Sequence, residues 1–107
     1  MSTEAVTSFD THLDALGHVD RRRLLLALLN VEEAALPIEL DQLEYEAAES
    51  DVLLSFHHSH LPKLEDLGFV DADPDGHSVT RGPRFEEIEP LLEHLDTHRD
   101  RLPPDWV

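Results

Sequence analysis

The sequence predicts a mainly α-helical chain with one small β-hairpin, an α+β class. Two patterns carry this reading. Leucines recur at helical spacing along most of the chain, at positions 24, 25, 28 and 29 and again at 61, 64 and 67. A different pattern follows the last of these leucines. Phe69-Val70 reads as a short strand, Asp73-Pro74-Asp75-Gly76 as a tight turn, and His77 to Arg81 as the return strand. With 107 residues the chain is long enough for one core and too short for two. A single domain over residues 1–107 follows, its core about 9–101, with tails at 1–7 and 102–107.

The elements follow in order. Ser8 can cap a first helix bearing Phe9, Leu13 and Leu16 on one face, which Gly17 ends. Asp20 can cap a second, Arg21 to Asn30, whose wide leucine stripe places it at the centre of the core. Val31 to Leu36 is a loop, and Pro37-Ile38 is extended. A third helix is expected over Glu39 to Glu49, with Leu40, Leu43 and Ala47 inward. The fourth covers Asp51 to Leu67, and Gly68 stops it. A helical wheel centred on Leu61 turns Leu53, Leu54, His57 and Leu64 inward and Ser55, Ser59, Pro62, Lys63 and Asp66 outward. Pro62 opposes a hydrogen bond back to His58, so either the helix begins near Ser59, with Pro62 in its first turn, or one helix from Asp51 kinks near His58; the apolar Val52, Leu53, Leu54 and Phe56 favour the kink. The last helix is expected over Glu89 to Asp100, with Pro90 in its first turn.

A short helix feeding directly into a hairpin is the second half of a winged helix-turn-helix. The run His58-Ser59-His60-Leu61-Pro62-Lys63-Leu64, continued by Gly68-Phe69-Val70, resembles the recognition helix and wing of ArsR-type winged-helix regulators. It is most similar to small haloarchaeal winged-helix proteins with an H-x-H-L-P-K-L signature. The resemblance spans roughly residues 13–95 and implies a DNA-binding transcriptional regulator. The chain has no cysteine, so the thiolate metal sites of that type do not carry over, and disulfides are excluded.

Charge adds a constraint. Asp and Glu number 24 against 8 Lys and Arg, a net charge of −16. The acids alternate with leucine-rich segments instead of massing in a tail, so they read as solvated faces of folded helices. Diffuse acid excess with a single lysine, Lys63, resembles salt-in halophilic archaea; the rival reading is an acidic protein evolved for basic partners. No apolar run approaches the ~20 residues of a membrane span, and the N-terminal residues show no signal peptide. A cytoplasmic protein is expected.

Enzymatic motifs are missing: there is no Gly-rich phosphate loop, G-x-S-x-G elbow or HExxH pair. No catalytic residue is assigned and no enzyme is expected. His57, His58 and His60 are potential zinc or nickel ligands, but the wheel sends them in three directions. No metal site and no cofactor are therefore assigned, and a metal-responsive regulator stays as an alternative.

Candidate DNA contacts are His58, Ser59, Pro62 and Lys63 on the fourth helix, Arg21 at the start of the second, and Arg81 and Arg84 beside the wing. Four phosphate contacts give a salt slope of about −3.6, so in molar salt the protein must read base edges and shape. Phe85, Ile88, Leu92 and Leu95 form a 3-4-3 seam suited to a homodimer. The expected partners are double-stranded DNA and a second copy; a winged helix serving protein–protein interaction is the alternative.

Overall fold

The computed structural model describes residues 7–43, 49–104 and 106. Helix α1, Phe9–Ala15, opens on Ser8, whose hydroxyl accepts the Thr11 amide as the sequence predicts. Its outward residues Phe9 and Leu13 stay largely exposed, and only Ala15 and the adjoining Leu16 reach the core. Helix α2 spans Val19–Asn30. Its cap is His18 instead of Asp20: the His18 Nδ1 accepts the Asp20 amide. Leu24, Leu25 and Leu28 are completely buried and Leu26 nearly so, which makes α2 the central helix.

Strand β1 is short, Ile38–Glu39, and a 3₁₀ turn follows at Leu40–Gln42. The expected helix over Glu39 to Glu49 is therefore not continuous. The chain is extended at Glu39 because that residue pairs with Ser78; residues 44–48, including Ala47, lie outside the described residues.

Three segments then run on as one helical rod: α3, Glu49–Ser55, a π turn at Phe56–His60, and α4, Leu61–Asp66. In the π turn the Leu61 amide bonds back to the Phe56 carbonyl, five residues away. The distortion sits where Pro62, lacking an amide hydrogen, disrupts the normal ladder. A π turn takes up one extra residue, which rotates what precedes it by about 100° relative to a regular helix. The buried set is therefore Val52, Phe56, Leu61 and Leu64. This corrects the wheel: His57 and Leu54 face out, and His60 faces in.

Gly68, at φ +85°, ends the rod. The Phe69 amide reaches the Leu64 carbonyl at 3.0 Å and the Gly68 amide reaches Glu65 at 3.0 Å, a Schellman closure. Strands β2, Val70–Ala72, and β3, Ser78–Arg81, form the wing. β3 is the middle strand, antiparallel to β1 and β2, in the order β1-β3-β2. Asp73 holds the turn. Its Oδ1 accepts the His77 and Ser78 amides at 2.7 and 3.2 Å, and its carbonyl accepts the Gly76 amide at 2.9 Å. Gly82 follows where the backbone has no room for a side chain, since a Cβ there would lie 2.5 Å from the Gly68 carbonyl oxygen.

Helix α5 spans Phe85–Thr97 and starts earlier than expected, leaving Pro90 inside it. Burial of Phe85 and Ile88 recruits this first turn, while Pro90 and Glu86, whose carbonyl loses its amide partner, both lie on the solvent side. α5 packs on α2. Thr7 ties the start of the chain to α5, donating through its amide and hydroxyl to Glu87 Oε1 at 2.6 and 2.8 Å. The protein is thus mainly helical with a small three-stranded antiparallel sheet, a winged-helix-like α+β fold. Among the described residues no helix is long and apolar enough to cross a membrane.

Candidate functional site

The rod and the wing together form the most distinctive exposed surface. Ser59 and Pro62 are exposed on the rod, as predicted, and so are His58, expected at the flank, and Leu54, at 57 % exposure. The wing is anchored to the rod by a contact the wheel concealed. The His57 Nε2–H donates to the Gly76 carbonyl at 3.0 Å, and its ring lies 5.9 Å from that of His77. Gly76 adopts φ +70°, and a Cβ there would meet the His57 ring at 3.1 Å.

The basic residues are employed differently from the expectation. Arg21 donates to the carbonyls of Ala15 and Asp14, each at 3.0 Å, and to His60 Nδ1 at 3.1 Å. It clamps the end of α1 to α2. Arg81 donates to the carbonyls of Leu28 and Val31, both at 2.8 Å, and lies over the Phe85 ring. Arg81 in this way satisfies the Leu28 carbonyl near the end of α2, whereas the Asp14 carbonyl that Arg21 contacts also accepts the Gly17 amide at 3.1 Å. The Lys63 ammonium pairs with Asp14 at 2.7 Å. The stem of Arg84 packs against Gly68. Arg21 and Arg81 are thus committed inside the fold and Lys63 is paired at the surface, while Asp51, Glu65 and Asp66 are exposed on the rod.

The proposed dimer seam is spent inside as well. Phe85, Ile88 and Leu92 are buried in the chain's own core, so while the chain is folded they are not open to a second copy. A 3-4-3 spacing looks the same whether the partner helix lies in the same chain or another. Leu95 is partly buried and lines an apolar groove with Leu13, Leu91, Leu102 and Trp106.

A second cluster was not legible in the sequence. His18, Asp20 and His60 each bring one ligand atom to within 4.8 Å of the others. The rings of His18 and His60 are 4.4 Å apart, and His60 stands edge-on to Phe56 at 5.2 Å. Burial, then the nearby His18 and Arg21, push the His60 pKa down to about 4, against a smaller opposing pull from Asp20. Arg21 can only donate, so His60 Nδ1 accepts and the proton of the neutral ring sits on Nε2. That Nε2 is buried and has no hydrogen-bond partner among the described residues. Sequence reasoning grouped His60 with His57 and His58; the π turn separates them and sends His60 to α2.

The model of a family described as a domain of unknown function, DUF7344, matches residues 13–80. Neither the curated proteins nor the solved structures give a match. The matched region runs from within α1 to the penultimate residue of β3, and the chain belongs to this family.

Proposed function

We propose that this member of the DUF7344 family is a DNA-binding transcriptional regulator, adapted to high salt, that reads the duplex with the outer face of the α3–α4 rod. One observation carries the reading: a helical rod with an exposed Leu54, His58, Ser59 and Pro62 stands beside a three-stranded wing, in winged-helix order. Histidine and serine offer hydrogen bonds to base edges, and Leu54 offers apolar contact to a thymine methyl. The fold supports this by analogy.

The consumed cations change its energetics. With Arg21 and Arg81 committed to backbone carbonyls, Arg84 and Lys63 remain for phosphates, and Lys63 must leave Asp14. Two contacts give a salt slope of about −1.8 per chain, half the value for four. Binding of this kind persists in molar salt, where a phosphate-driven binder fails.

The test is selection of DNA sites from a random pool in molar KCl, followed by titration of the selected site. His58→Ala and Ser59→Ala should alter base preference and weaken binding, each by roughly 1–3 kcal/mol if it reads a base pair, with melting unchanged. If both variants bind like the parent, or no site is enriched, this face does not read DNA.

A second reading is favoured by a specific observation. Exposed acids near the rod, with the cations turned inward, suit a protein partner better than a polyanion. Failure of site selection together with capture of a basic protein through the same His58 and Ser59 face would move that reading ahead.

A further inference from the structure

We propose that His18, Asp20 and His60 form a binding site for a divalent transition ion of the zinc or nickel kind, joining the start of α2 to the π turn of the recognition rod. The three ligand atoms lie within 4.8 Å of one another and come from two separate elements. A four-coordinate ion with nitrogen ligands at about 2.0 Å holds them about 3.3 Å apart, so modest side-chain rotation closes the set. Two imidazoles and one carboxylate suit zinc, nickel or cobalt, and suit neither the all-oxygen shells of calcium and magnesium nor thiolate-seeking ions.

The orphaned Nε2 of His60 is an independent observation pointing the same way. Buried polar atoms are nearly always partnered, yet His60 is 4 % exposed and its Nε2 has no partner among the described residues. Beside the cluster an open depression of about 300 Å³ takes in His18, Asp20, Asp51 and Ser55 and also Arg23, while His60 does not line it. It leaves room for a water or the Asp51 carboxylate as fourth ligand on the His18 and Asp20 side, against the repulsion of the Arg23 guanidinium.

Loading has a defined internal cost. For Nε2 to bind an ion, the ring proton must move to Nδ1, which now accepts from Arg21. Arg21 then gives up that bond and keeps those to Ala15 and Asp14. His18 faces a similar choice, because its Nδ1 caps α2. The site therefore competes with two hydrogen bonds and lies below a prebuilt structural zinc site in affinity. It also links ion binding to the seating of the rod on α2, which supplies the fold with an input at a distance from the His58 and Ser59 face.

The experiment uses the full, untagged chain in molar KCl, with Zn²⁺ and Co²⁺ as probes. Zinc should raise the melting midpoint by about 5 °C or more at saturating concentration, and Co²⁺ should give the intense visible absorption of a tetrahedral site. His18→Gln, at a largely solvent-accessible side chain, should abolish both, as should His60→Gln where it folds. His57→Gln and His58→Gln should leave both intact. No DNA is present, so the result is independent of the DNA reading. Equal response in the parent and in His18→Gln, loss in His58→Gln, or no response in the parent overturns the site.

Discussion

At the scale of single residues, His60 is the most consequential side chain outside the exposed face. Its folded pKa of about 4 lies below the ordinary histidine value of 6.5. The unfolded chain therefore takes up a proton at higher pH than the folded one. The stability from keeping this ring neutral is fully present above about pH 6.5 and is lost as the pH falls toward 4. His18 and Arg21, facing it from α2, oppose its charging, while Asp20 weakly favours it. With chelator present, stability should drop by on the order of 2 kcal/mol across that window. The drop should shrink in His60→Gln, as measured by urea unfolding at stepped pH; an equal drop in both proteins would assign the effect elsewhere. Asp73 and Glu87 add a later loss at lower pH. The Ser78 amide beside Asp73 and the Thr7 amide beside Glu87 hold these carboxyls below their usual range, so their contribution disappears as the pH falls through those depressed values.

At the scale of elements, the wing depends on Gly76. A side chain there faces both a left-handed backbone and the His57 ring. Gly76→Ala should cost about 1–2 kcal/mol from the backbone alone, and thermal melting checks it; a midpoint equal to the parent's would mean the turn adapts freely. The wing was legible in the sequence because Asp73-Pro74-Asp75-Gly76 is local turn chemistry and Gly68 is a local helix stop. The Ser8 cap was legible for the same reason. The rod was legible in extent and in the position of its distortion, through Pro62. Its facing was not, because a wheel assumes a constant rotation per residue. That single failure misplaced His57, Leu54 and His60 together. The roles of Arg21 and Arg81 escaped for another reason. Their acceptors are carbonyls six residues away in one case and fifty-three in the other, and carbonyls leave no mark in a sequence.

At the scale of the whole molecule, charge dominates. A net charge of −16 on a small domain repels itself. The described ion pairs offset little of it, and those formed by Lys63 and Arg99 lie at the surface. The Debye length falls from about 10 Å at 0.1 M to about 3 Å at 1 M salt. The melting midpoint should therefore rise strongly between low and molar KCl, by differential scanning fluorimetry or circular dichroism. A flat midpoint would show that the acids are already screened by their spacing, and would remove the main physical support for adaptation to high salt.

The π turn has a further consequence, for comparison across relatives. It amounts to one inserted residue in a helix that otherwise keeps its two ends in place. A relative with an uninterrupted helix needs one residue fewer between the equivalents of Val52 and Leu64 to bury the same contacts. Deleting one residue between Phe56 and His60 would remove the residue that the π turn takes up, while Pro62 would still lack the amide hydrogen for its own rung. An alignment gap of length one inside this helix would therefore mark family members whose helix runs without the π turn.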